Sequence, residues 1–112
     1  MKHRWAAACS VGLLFAEFLF FFSVPLQAQS EPAKIFQANC AECHGADGGA
    51  NTAMGRSLKM RDLRSPDVQK RTDADLTDII TNGMATMPPY KEKLTKDQIQ
   101  QVVAYIRQIA KK

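Results

Sequence analysis

Histidine is nearly absent from this chain, cysteine is scarce, and lysine and arginine never gather into a run. The histidines are His3 and His44, and the cysteines are Cys9, Cys40 and Cys43. A zinc site takes about four ligands. No second Cys/His pair accompanies Cys40, Cys43 and His44, so zinc would have to recruit carboxylates. Small exported domains are often reinforced by disulfides, but a bond between Cys40 and Cys43 would close a tiny loop and hold nothing together. The 15 Lys and Arg barely outnumber the 11 Asp and Glu. The aromatics are not interleaved with basic residues, so a nucleic-acid platform is excluded. No segment alternates as a strand does, which removes the βαβ setting of a thioredoxin-like cysteine pair. Gly45, Gly48 and Gly49 lack the helix and the Lys-Ser/Thr of a phosphate loop. They are expected to form a tight turn instead. There is no internal repeat and no low-complexity linker, and 112 residues support one domain.

The first 28 residues differ from the rest. Lys2, His3 and Arg4 form a basic start, Trp5 to Leu26 is a long apolar stretch, and Gln27-Ala28-Gln29-Ser30 is a small, polar exit. This order is that of a secretory signal peptide, with cleavage expected after Ala28. The rival is an uncleaved anchor, since the stretch approaches the ~20 residues of a spanning helix. Glu17 in its middle argues against a stable span. A lipid-attachment cysteine should follow the apolar region; Cys9 does not. Residues 1–28 are therefore read as a leader and 29–112 as a domain in the periplasm, or anchored to the inner membrane and facing it. Loss of Lys2, Arg4 and Glu17 removes two cations and one carboxylate from a formal +4, leaving +3. No strong steering field follows from so small a charge. A domain this short is marginal without reinforcement, and a large apolar cofactor in its core would supply it.

Three helices are expected, and an all-α fold. The first starts near Ser30, with Pro32 tolerated in the first turn. Ile35, Phe36, Asn39 and Cys40 share a face, so this helix should deliver Cys40 and Cys43. Thr72 and Asp75 open the second, Leu76, Ile79 and Ile80 give its stripe, and Asn82-Gly83 ends it. Thr95 and Gln98 cap the third, whose stripe is Ile99, Val102, Val103, Ile106 and Ile109 with Tyr105 beside it. A short helical turn is expected at Ser65-Pro66-Asp67.

Cys40-Ala41-Glu42-Cys43-His44 is C-x-x-C-H, the haem attachment signature. Two thiols three apart on a helical turn face one side, at a spacing that suits thioether formation with the two haem vinyl groups. His44 then lies under the iron as one axial ligand. The second axial ligand must come from another segment. His3 leaves with the leader, so methionine is the natural donor, and Met/His ligation raises the reduction potential. Met54, Met60, Met84 and Met87 remain. Pro88-Pro89 holds the chain after Met87 stiff and keeps Met87 itself out of helical geometry. Met87 is therefore favoured, and Met84, just after Gly83, is the runner-up.

These features resemble a class I cytochrome c of the short bacterial type from Ser30 to Ile109. The matching residues are Ile35-Phe36, Cys40 to Gly45, Asp47-Gly48-Gly49, Asn82-Gly83, Met87-Pro88, and Leu94-Thr95 through Tyr105-Ile106-Arg107. The resemblance implies first and last helices crossing over one covalently bound haem c, with Phe36 and Tyr105 near the crossing. It implies Met87 as the distal ligand and a carbonyl of the 50s loop orienting His44. Two departures stand out. Pro32, followed by Ala33, occupies the place of a glycine common at the crossing, and Ala53 stands where a proline is common.

The function this implies is electron carriage, not catalysis. The expected partners are redox proteins: an electron-donating complex or dehydrogenase, and an acceptor such as a terminal oxidase. A monomer is expected, with no nucleic acid, and with membrane contact only if the leader is retained. The alternatives are an open iron site that binds a gas or reduces peroxide, and a haem-free thiol protein. Against the first, no second histidine is left to act as a distal acid or base. Tyr90 is placed either on a haem propionate or against the haem edge. Arg56, Lys59 and Arg61 either neutralise propionates, dock an acidic partner, or form a solvated face.

Overall fold

The computed structural model describes residues 30–112, so the expected leader lies outside the described residues. The described chain contains six helices: α1 Glu31–Asn39, α2 Ala41–His44, α3 Ala53–Ser57, α4 Pro66–Gln69, α5 Asp73–Asn82 and α6 Lys96–Ile109. No strand occurs among the described residues; Met84 and Met87 form an isolated antiparallel bridge. None of these helices is long and apolar enough to cross a membrane.

The two longest helices start where side chains satisfy their free amides. The Thr95 hydroxyl accepts from the Gln98 amide at 3.2 Å, and the Gln98 side chain accepts from the Thr95 amide at 2.9 Å. Thr72 and Asp75 do the same for α5, at 3.0 and 3.1 Å. Each box satisfies two amides that the helix start would otherwise leave to solvent. Ser30 and Ser65 take the extended backbone of a cap, but their side chains make no capping bond.

The α6 stripe is buried as the periodicity predicts, and Tyr105 is buried with it. Against it lies α1, where Phe36 is fully enclosed and its ring centroid is 5.1 Å from that of Tyr105, tilted by 50°. Tilted aromatic pairs of this kind add about 0.5–1.5 kcal/mol beyond the area they bury. Ala33 is buried, and so brings a small side chain to the region where a glycine is common. Helix α5 packs on the same α6 with Leu76 and Ile80 inward.

Two differences from expectation matter for the site. First, α1 does not run through to Cys43. It ends at Asn39, Cys40 has φ −118°, and a new turn, α2, carries Cys43 and His44. Asn39 bends its amide back to the Ile35 carbonyl at 2.9 Å, the local competition that makes Asn a poor interior helix residue. Second, the segment after the glycines holds an unexpected helix, α3. Thr52 caps it by accepting from the Gly55 amide at 2.8 Å, and α3 packs on α2.

Candidate haem site

The α1–α2 junction, α5, α6 and the 58–61 and 84–87 segments enclose a cleft of about 960 Å³ between its walls, part of it open to solvent. Its walls are mostly apolar and belong to the core: Phe36, Leu63, Val68, Leu76, Ile80, Val102 and Ile106 all line it.

Cys40, His44 and Met87 line this one cleft. Cys43, in the adjacent turn, is half-buried and is not part of the lining. Both thiols are free. Burial, and then the neighbouring Cys43, push the Cys40 thiol up to about 11. Such a thiol stays protonated at neutral pH, the opposite of what a thiol–disulfide enzyme needs. Burial also lowers the His44 imidazole below its usual value, opposed more weakly by the Arg61 backbone carbonyl. The ring is thus neutral at pH 7, with a lone pair available to a metal.

The 50s loop braces the attachment motif through its backbone. Ala50 N–H donates to the His44 carbonyl at 2.8 Å, and the Thr52 hydroxyl donates to the Cys43 carbonyl at 3.1 Å. Gly55 makes this fit possible: a Cβ there would lie 2.4 Å from both the Cys43 and Ala50 carbonyl oxygens. No carbonyl of this loop bonds the imidazole: the carbonyl that acts on the ring is that of Arg61, beyond the loop, and it makes no full hydrogen bond, so Nδ1 is buried without a partner among the described residues. The loop spends its polar groups on the α2 main chain instead.

In another segment of the lining, Met84 and Met87 exchange both backbone hydrogen bonds, at 3.1 and 3.0 Å, closing a two-residue turn with Ala85 at φ +53°. Met87 packs against the core, whereas Met84 is 46 % exposed. Met60 also lines the cleft but follows α3, which packs on the His44 helix; Met54 does not line it. Gly83, read from the sequence only as a helix end, has a second duty. Its φ is +78° with ψ 168°, and a Cβ would sit 2.6 Å from the Met87 carbonyl and 2.9 Å from the Pro89 nitrogen.

Three cations, Lys59, Arg61 and Arg71, line the cleft, and no carboxylate does. Arg71 was not singled out by the sequence. It comes into place because Arg107 of α6 holds its carbonyl, and also donates to the Gln69 carbonyl at 2.9 Å. Arg56 points elsewhere, donating to the Asn51 carbonyl at 3.1 Å. Tyr90 is committed too: its hydroxyl donates to the Asn39 carbonyl at 2.8 Å.

An apolar cleft walled by helices, with thiol, imidazole and thioether side chains and positive charge in its lining, fits the class of haem proteins with covalent attachment. Comparison with known proteins agrees. The family model described as cytochrome c oxidase, cbb3-type, subunit III matches residues 27–106. Cytochrome c6 of Leptolyngbya boryana is 39% identical over 79 residues, covering 70% of this chain and 89% of that protein. Cytochrome c6 of Nostoc sp. (strain PCC 7120) is 39% identical over 94 residues, 81% of each. The solved structure of the KustC0563 c-type cytochrome superimposes with a TM-score of 0.66 at 30% identity, covering 71% of this chain and 98% of that one.

The chain belongs to the class I c-type cytochromes, small proteins with one haem. Its fold is the all-α cytochrome c fold, its cofactor is covalently bound haem c with iron, and it is an electron carrier rather than an enzyme.

Proposed function

We propose that Cys40 and Cys43 hold the haem through thioethers, that His44 and Met87 are the axial iron ligands, and that the protein carries single electrons in the periplasm. The haem, when bound, supplies a one-electron iron couple. The observation that carries this reading is that the Cys40–His44 motif and Met87, from two segments more than forty residues apart, meet at one apolar cleft.

Each residue then has a physical task. Burial keeps His44 neutral and able to donate. The Gly83 turn and Pro88-Pro89 hold Met87 in a preset position, which a weak thioether ligand needs if it is to compete with water. Met87, rather than the half-exposed Met84, is the methionine packed on the core. Phe36, Val102 and Ile106 exclude water from the iron and so favour the reduced, less charged state. Lys59, Arg61 and Arg71 offset the two haem carboxylates.

Residues 1–28 act as the export signal in this reading, and 29–112 form the mature, monomeric carrier. Its partners are redox proteins of a respiratory or related chain: a donating complex or dehydrogenase, and an acceptor such as a terminal oxidase. The test is the intact mass and visible spectrum of protein matured in a competent periplasm. The expected mass is that of the chain without residues 1–28 plus one haem, with a methionine–iron charge-transfer band in the oxidised form. A colourless product with the mass of the bare polypeptide, or rapid carbon monoxide binding by the reduced form, overturns it.

A further inference from the structure

We propose that Tyr90 is a positioning residue. Its hydroxyl ties the segment that carries Met87 to the segment that carries Cys40 and so sets the tension on the iron–methionine bond. This role rests on Met87 being the axial ligand.

The argument starts from the backbone. Helix α5 ends at Asn82, and its last carbonyls are left without helical partners. The chain returning from Met87 satisfies two of them: Tyr90 N–H donates to the Ile80 carbonyl at 3.0 Å, and Lys91 N–H to the Thr81 carbonyl at 3.2 Å. Tyr90 is therefore fixed to α5 three residues beyond Met87. Its own carbonyl accepts from Lys93 and Leu94, at 2.9 and 2.8 Å, and its ring lies under the Lys93 ammonium at 5.6 Å.

From this fixed base the side chain crosses to α1. The break at Cys40 leaves the Asn39 carbonyl without a backbone partner among the described residues, and the Tyr90 hydroxyl fills that vacancy at 2.8 Å. The bond joins residues 51 apart in sequence, in a half-buried setting. The Asn39 carbonyl adjoins Cys40, the Tyr90 backbone follows Met87, and Cys40 and Met87 both line the cleft. Among the hydrogen bonds described, it is the only one joining the 87–90 segment to the 39–44 segment. A contact in this place limits how far the thioether can draw back from an iron held through Cys40.

Tyr90→Phe removes the hydroxyl and keeps the ring. The test uses the matured, haem-loaded protein and imidazole as the probe, titrated into the oxidised form while the methionine–iron band is followed. Imidazole binds only when the thioether leaves, so Y90F is expected to bind it about three- to tenfold more tightly, the factor one neutral hydrogen bond is worth. Ile109→Val is the control. Ile109 is buried in α6 outside the cleft lining, so its loss of a methyl lowers stability without touching this strut. Imidazole affinity in I109V is expected to match the parent. If Y90F binds imidazole as the parent does, or if I109V rises by the same factor, the positioning role is overturned. If the parent itself lacks the methionine–iron band, the ligand assignment falls first and takes this proposal with it.

Discussion

Replacing Gly55 with alanine sets two effects of opposite sign against each other. Gly55 lies inside α3, where alanine is intrinsically better than glycine by about 1 kcal/mol. No positive φ is involved, so an exposed glycine here would make G55A stabilising. The surroundings reverse that sign. The new Cβ would sit 2.4 Å from the Cys43 carbonyl, 2.4 Å from the Ala50 carbonyl and 3.0 Å from the Ala50 carbonyl carbon. All three atoms are backbone, so no side chain can swing aside. Relief requires α3 to move off α2 by most of an ångström. Overpacking of this kind costs about 1–3 kcal/mol. The movement also strains the Thr52–Cys43 and Ala50–His44 hydrogen bonds, each worth about 0.5–1.5 kcal/mol. The clash outweighs the propensity gain, and a net loss of about 2 kcal/mol is expected. At about 4–8 °C per kcal/mol for a domain of this size, Tm should fall by about 8–16 °C. Thermal unfolding of the haem-loaded protein, followed by circular dichroism, measures it. A G55A protein as stable as the parent would refute the claim that α3 braces the attachment motif through direct backbone contact.

The remaining predictions concern the cleft. Met87→Ala should abolish the methionine–iron band and open the reduced form to carbon monoxide, whereas Met84→Ala should keep the band; the two visible spectra decide between them. Gly83→Ala, forced into a positive φ and against the Met87 and Pro89 backbone, should weaken the band and lower Tm together, by about 1–3 kcal/mol in unfolding experiments. The His44 pKa is lowered in the folded protein, so its contribution to stability is complete above the unfolded value of about 6.5 and is lost as pH falls toward the folded value. Denaturant midpoints should therefore be flat from neutral pH upward and decline below about pH 6.5, and a decline on the alkaline side of that value instead would contradict the assignment.

The features legible in the chain are those made by neighbours in sequence. The capping boxes at Thr72 and Thr95 and the stripe from Ile99 to Ile109 involve residues within a turn or two of each other, and the structure matches them. Helix α3 escaped because five residues with a glycine in the middle have no intrinsic stability; its cap and its contact with α2 sustain it. The break at Cys40 escaped for a similar reason. An Asn near a helix end is a weak signal until Tyr90 arrives to take its carbonyl. Tyr90 and Arg56, read as candidates for the haem carboxylates, turned out to be bonded to backbone carbonyls, while Arg71 joined the cleft unannounced.

The order of residues alone determined the chemistry: two thiols and an imidazole within one turn, methionines downstream, and helices to enclose an apolar cofactor. Those choices are local, and spacing along a helix is enough to express them. Which methionine is packed and which is half-exposed, which cations enter the cleft, and what ties Tyr90 to Asn39 were decided by the tertiary structure. Such contacts join residues tens of positions apart, and they exist only once the whole chain has closed on itself.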